Sequence, residues 1–162
     1  MHPVASAEWV ALWLAAPLFI AIIWSDLSRM RIPNSYALAG LALFAACIPF
    51  IGFETSLLRS GIALGAFLLG VTAFAFGLLG GGDVKIFPDV ILFIPQQMYG
   101  LFLGLFSASL LIGIVAVLGL RRAFGHPEAR LAAVRPGREY PMGLSIGGAG
   151  LALLGASFLP IL

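Results

Sequence analysis

The sequence predicts an all-α polytopic membrane protein of about six transmembrane helices, and three observations carry that reading. The chain has 162 residues, of which 61% are hydrophobic and 10% charged, with a mean hydropathy of +1.08. Soluble domains carry roughly 25% charged residues, so this composition cannot clothe a water-facing surface. The apolar residues also arrive in uncharged blocks: Trp9–Ser25, Ile32–Phe53, Ser60–Gly82, Val90–Leu120 and Pro141–Leu162. Each meets or approaches the roughly 20 residues that a hydrocarbon crossing needs. Lastly, the basic residues between the blocks segregate to alternate connections.

The first block reads as a retained span. Met1–Glu8 contains no Lys or Arg and so lacks the basic region that opens a cleaved signal peptide. Ile32–Phe53 is the second span. Its Cys47, the single cysteine, has no disulfide partner and no companions for a zinc cluster, and reads as a small buried hydrophobe. Ser60–Gly82 is the third span, where Gly61 and Gly65 suit close helix packing. Val90–Leu120 is too long for one crossing and carries an interruption at Pro95-Gln96-Gln97 and Gly100. It therefore divides into two helices with a turn near Pro95–Tyr99, the fourth span starting near Val84 or Ile86. Phe87-Pro88-Asp89 points to a late start for that helix, since proline favours a first helical turn, and leaves Asp83 on a flexible stretch. Pro141–Leu162 is the sixth span.

Charge orients the bundle. With six spans, Arg29, Arg31, Lys85, Arg121, Arg122, Arg130, Arg135 and Arg138 share one side, and only Arg59 lies on the other. The positive-inside rule places the cation-rich side in the cytoplasm and both termini outside. The one sizeable hydrophilic connection, Arg121–Tyr140, suits contact with anionic headgroups, with a short interfacial helix over Pro127–Val134. A single transmembrane domain spans residues 1–162.

Seven acidic residues are present. Glu8, Glu54, Glu128 and Glu139 fall in solvated loops or ends. Asp89 lies about 240° round an ideal helix from Asp83 and is placed to pair with Lys85. That leaves Asp26, at the end of the first span, and Asp83, after the third, both at the cytoplasmic face. Each has a plain structural reading: Asp26 as a partner of Arg29, Asp83 as a helix cap. An ionisable group at membrane depth is nonetheless a functional candidate. Gly80, Gly81 and Gly82 before Asp83 cost roughly 1 kcal/mol each in a helix and offer close backbone approach in return. Two adjoining carboxylates share one proton; the ionised member takes a proton from water and the protonated one gives a proton to a carbonyl oxygen. Such chemistry needs no cofactor and no metal. His126 stands alone in a loop, and Ser107, Ser109 and Ser145 have no histidine to activate them.

Gly80-Gly81-Gly82-Asp83-Val84-Lys85 resembles the Gly-x-Gly-Asp signature of the prepilin peptidases, a family of membrane aspartyl proteases. Asp26 with Arg31-Ile32-Pro33-Asn34 is similar to that family's first aspartate motif, and Pro141-x-Gly143 to its last segment. The resemblance runs from about Asp26 to the C-terminus and is closest to the short form of tight-adherence (Flp-type) pili. It implies catalytic roles for Asp26 and Asp83, with Gly80, Gly81, Gly82, Lys85, Arg31, Pro33 and Asn34 shaping the site and binding substrate. It implies prepilin or pseudopilin substrates cut at the cytoplasmic face of the bacterial inner membrane. The paired Cys-x-x-Cys motifs of longer members are absent, which implies no N-methyltransferase activity and no zinc. The partners implied are the pilin precursor and the lipid bilayer, compatible with homo-oligomer or pilus-machinery contacts, and no nucleic acid. Two other readings of the residues stand beside this one: a small transporter or channel subunit with Asp26 and Asp83 as ion or proton sites, and a non-catalytic pilus or secretion assembly protein.

Overall fold

A computed structural model describes residues 6–137 and 139–158; Arg138 and both chain ends, which the charge pattern assigns to the outside, lie beyond the described residues. Six α-helices follow in order: α1 (Ser6–Arg29), α2 (Asn34–Ile51), α3 (Phe53–Ala75), α4 (Gly81–Phe93), α5 (Tyr99–Phe124) and α6 (Met142–Ala156). The segments α1, α2, α3 and Gln96–Phe124 are long and apolar enough to cross a membrane, and α6 is a shorter apolar helix. Large apolar side chains such as Leu69, Phe76 and Leu111 stand exposed, as a lipid-facing surface requires. The protein is an all-α polytopic membrane protein.

The helices pair as α1 with α6 and α2, α5 with α6, and α3 with α4. The approach of α1 to α6 depends on α6 glycines. A Cβ at Gly147 would stand 2.9 Å from the Phe19 carbonyl oxygen, and one at Gly150 2.7 Å from the Phe19 ring. Phe19 in turn meets Phe93 edge-on at 6.4 Å between centroids, and Phe93 meets Phe44 at 5.9 Å. These rings join α1, α2 and α4 in the core.

The break in the fourth block falls where the sequence places it: α4 stops at Phe93, and Gln96–Met98 forms a 3-10 turn before α5. The division is uneven, however. The 13 residues of α4 rise only about 20 Å, well below the roughly 30 Å of hydrocarbon. Its start also differs from expectation: α4 begins at Gly81, so Asp83 stands in an ordered first turn and Pro88 lies inside the helix. Close packing on α3 offsets the glycine cost, with Val84 Cγ1 3.3 Å from where a Cβ of Gly70 would sit.

Three further expectations need correction. Glu8 is not merely solvated, because it pairs with Arg59, whose side chain is fully buried. Arg59 also donates to the Leu92 carbonyl at 3.2 Å and so satisfies an orphan acceptor in the last turn of α4. A Cβ at Gly61 or Gly65 would meet nothing within 4 Å, so these glycines pack against no helix among the described residues. Finally, the Pro127–Val134 segment forms only a 3-10 turn at Ala132–Val134. Its Ala133 is buried and packs toward α1, in place of the expected interfacial helix.

Candidate active site

Asp26 sits one turn before the end of α1 and is 6% exposed. The helix stops there because Met30 takes a left-handed φ of 52°, a conformation costing about 1–2 kcal/mol away from glycine. Ser25 holds the turn by donating to the Arg31 carbonyl at 2.8 Å. Pro33, with φ −61° and ψ 144°, then caps α2 and sends the chain back along the bundle. The Asp26 carboxylate is left facing the first turn of α6, where the Gly143 amide donates to its Oδ2 at 2.7 Å. Glycine is needed there: a Cβ would stand 2.8 Å from that oxygen and 2.9 Å from Ile32 Cδ1.

Asp83 is half-buried in the first turn of α4. Its carboxylate folds back on Gly80, the N-cap residue, with Oδ2 2.8 Å from where a Cβ of Gly80 would be. Asp83 and Asp26 lie within electrostatic range of each other. Each carboxylate therefore stands at the N-terminal end of a helix, Asp26 at α6 and Asp83 at α4. The unpaired amides and helix dipoles at those ends offset part of the repulsion between two neighbouring acids.

The two sequence motifs meet through their flanking residues. Ile32 packs against Gly82, 3.4 Å from where a Cβ would be, and against Gly143. Lys85 donates from Nζ to Asn34 Oδ1 at 2.8 Å, tying α4 to the first residue of α2. Gly81 faces Phe74 of α3, and the Arg31 side chain is exposed. Beside Asp83, a mostly apolar cleft of about 180 Å³ opens between α3, α4, α5 and α6, bordered by Gly70, Phe87, Phe106, Met142 and Ile146.

A model of the type IV leader peptidase family matches residues 13–117, well over half of the chain and inclusive of both aspartates. The chain belongs to the type IV leader peptidase family. No curated protein and no solved structure matches it.

The peptidase carries further groups that sequence reasoning passed over. Tyr140, just before α6, shares a 2.6 Å hydrogen bond with Ser145, which is fully buried. Burial pushes the Tyr140 phenol above the ordinary tyrosine range; the Ser145 bond draws it back, and the nearby Asp26 charge adds to the rise. The phenol thus keeps its proton close to Asp26. Gly113 of α5 makes room for it, since a Cβ there would overlap the hydroxyl. The signal was available in the adjacent Pro141-x-Gly143 element, but an aromatic residue at a loop end reads first as an interfacial anchor. Arg121, read as a headgroup contact, instead binds the loop to itself. It donates to the carbonyls of Ala133 at 2.8 Å, Gly137 at 2.8 Å and Glu139 at 2.6 Å.

Proposed function

We propose that the chain is an aspartic endopeptidase that removes the leader of Flp-like type IV prepilins or pseudopilins at the cytoplasmic face of the inner membrane. The observation that carries this reading is the convergence of Asp26 and Asp83, from helices distant in sequence, beside an apolar cleft. Family membership supplies the peptidase chemistry, and the excess of cations on the connections at the aspartate end supports the cytoplasmic orientation.

In this mechanism the two carboxyls hold one proton between them. The ionised carboxylate takes a proton from water as its oxygen attacks the scissile carbonyl carbon, while the protonated acid donates to the carbonyl oxygen. The tetrahedral diol then collapses. Its C–N bond breaks, the hydroxyl proton returns to a carboxylate, and the leaving nitrogen takes the other proton. The Gly143 amide keeps Asp26 aimed at the water. Gly80 leaves room for the Asp83 carboxylate to fold back on the N-terminus of α4, and the apolar cleft suits the start of the hydrophobic segment after the cut.

The test is incubation of purified protein with an Flp-type pilin precursor, reading release of the leader by mass. Cleavage without methylation of the new N-terminus is expected. An intact precursor under conditions where the protein stays folded would overturn the reading in favour of a transport or assembly role.

A further inference from the structure

On the α4 face turned away from Asp83, α2 and α3 stand on either side of α4 and leave a groove of about 380 Å³. Its volume falls within the roughly 300–1,000 Å³ of small-molecule sites. The walls are apolar, with Leu41 and Phe44 from α2, Ala63, Leu64 and Phe67 from α3, and Leu92 from α4. Along α4 the groove runs from Lys85 to Leu92, about 10 Å of helix. That is most of the depth of one leaflet, which is half of the roughly 30 Å of hydrocarbon. Leu41 and Leu64 are 51% and 58% exposed on the lipid-facing surface, so the groove opens sideways toward the bilayer.

One end of the groove is cationic. Lys85 lines it at the end of the bundle where α1 stops and α2 begins. The expected pairing of Lys85 with Asp89 does not form. The Asp89 carboxyl is buried and seated on Gly40, which does not border the groove. Neither of its oxygens has a hydrogen-bond partner among the described residues. Lys85 donates instead to the neutral amide oxygen of Asn34 at 2.8 Å. An ammonium carries three donors, so two stay free, and Lys85 forms no salt bridge among the described residues. Asn34 thus holds the ammonium at the groove's mouth without neutralising it. Arg29 and Arg31, exposed on the connection before α2, add to the positive potential at this end.

This pattern narrows what can fill the groove. A small soluble anion gains nothing from the apolar walls. An amine meets the Lys85 ammonium, and a neutral chain leaves that charge without a counter-ion. An apolar chain with an anionic head satisfies both the walls and the mouth, and the bilayer delivers it through the side opening. Membranes supply such molecules as anionic phospholipids, whose headgroups stand at the level of a lysine at a helix end. We propose that the groove between α2, α3 and α4 binds one anionic phospholipid, its phosphate held by Lys85 and one acyl chain laid between Leu41 and Leu64. The site is separate from the aspartate pair and does not depend on the peptidase reading. It shares Pro88 with the Asp83 cleft on the other side of α4.

The experiment uses the full chain in phosphatidylcholine nanodiscs and two trace probes with the same diazirine-bearing acyl chain, one a phosphatidylglycerol and one a phosphatidylcholine. Labelled peptides are located by mass spectrometry. At the segments around Leu41 and Leu64 the anionic probe should label about fivefold more than the zwitterionic one, and unlabelled phosphatidylglycerol should saturate that excess. The lipid-facing α5 surface around Leu111, 67% exposed, is the internal reference and should show no such excess. Lys85→Gln should lower the groove's preference to the Leu111 level, and Lys85→Arg should keep it. Ala37→Phe, on the half-buried α2 wall, should reduce groove labelling by both probes and serves if Lys85→Gln fails to fold. A groove preference no greater than that at Leu111 would mean ordinary boundary lipid and overturn the proposal. So would an undiminished preference in folded Lys85→Gln, or undiminished groove labelling in folded Ala37→Phe. No preference, with both probes displaced by a pilin precursor, would give the groove to the substrate's hydrophobic segment instead.

Discussion

The backbone amide of Gly143 donates to Oδ2 of Asp26 at 2.7 Å across 117 residues of sequence. That single contact sets the first turn of α6 against the end of α1 and leaves no space for a side chain at position 143. Gly143→Ala would press a methyl group onto both Asp26 and Ile32. Leader cleavage per folded molecule is expected to fall by about tenfold or more, since misplacement of a catalytic group by about 1 Å can cost 10²-fold. Gly61→Ala, where a Cβ meets nothing within 4 Å, is the control. Equal cleavage by the two variants would show that the Gly143 contact does not aim Asp26.

The carboxyls themselves are tested by Asp26→Asn and Asp83→Asn. In the first variant the side-chain amide oxygen can still accept from Gly143, so the fold should survive, while neither amide can hold or pass the shared proton. Cleavage should drop by roughly 10²-fold or more in each, with unchanged membrane insertion and thermal unfolding. Appreciable turnover by either variant would remove the two-aspartate mechanism.

Much of this site is legible in the sequence because charge is scarce in the chain. Asp26 and Asp83 stand out where apolar blocks end, and Pro141-x-Gly143 marks the segment that closes on Asp26. The start of α4 was not legible. Three glycines and Pro88 argue locally for a late helix, and packing of Val84 on Gly70, Phe74 on Gly81 and Ile32 on Gly82 opposes that preference. The Glu8–Arg59 pair and the seating of the Asp89 carboxyl on Gly40 were equally hidden. Both join residues far apart in sequence, and nothing in helical spacing connects them. Lys85 shows the converse error: four residues from Asp89 it is well placed for a local pair, yet Asn34 takes its ammonium.

The Arg59–Glu8 pair supports a stability prediction. Arg59 is fully buried, and its bond to the Leu92 carbonyl holds the last turn of the short α4. Glu8→Gln leaves the guanidinium without its counter-charge and should destabilise by about 3–5 kcal/mol. Adding Arg59→Met should recover part of that loss, because it removes the stranded charge. Thermal unfolding in detergent reads both. A double variant worse than Glu8→Gln by the full cost of a second defect would mean that the two residues act independently.

Orientation is read by thiol accessibility in intact cells. Gly137 and Glu54 are exposed at opposite ends of the bundle, whereas Ser56 is 3% exposed and a poor reporter. A membrane-impermeant thiol reagent should reach Glu54→Cys from outside, in a Cys47→Ser background. It should reach Gly137→Cys only once the cytoplasmic side is opened. Labelling of both from the same side would overturn the topology and the cytoplasmic placement of the aspartates.

The last prediction concerns how the loop before α6 is held. Three carbonyls, from Ala133, Gly137 and Glu139, accept from the one guanidinium of Arg121. The loop they belong to ends at Tyr140 and Pro141, directly before the Gly143 amide that aims Asp26. Arg121→Met deletes all three bonds while keeping most of the apolar stem, so α5 should persist and the loop should loosen. Its effect on cleavage is expected mainly in kcat, because the cleft beside Asp83, proposed to take the substrate, is bordered by Leu79 and by residues of α3, α4, α5 and α6 and by none from this loop. Arg121→Lys should restore activity only partly, since an ammonium cannot reproduce the planar fork that spans several acceptors. Hydrogen exchange supplies the independent reading: amides of 131–137 and of the first α6 turn should lose protection in Arg121→Met and regain some in Arg121→Lys. If kcat falls while those amides stay protected, Arg121 acts on the reaction by some route other than the loop. If KM alone rises, the loop belongs to the substrate-binding surface and its part in aiming Asp26 is refuted.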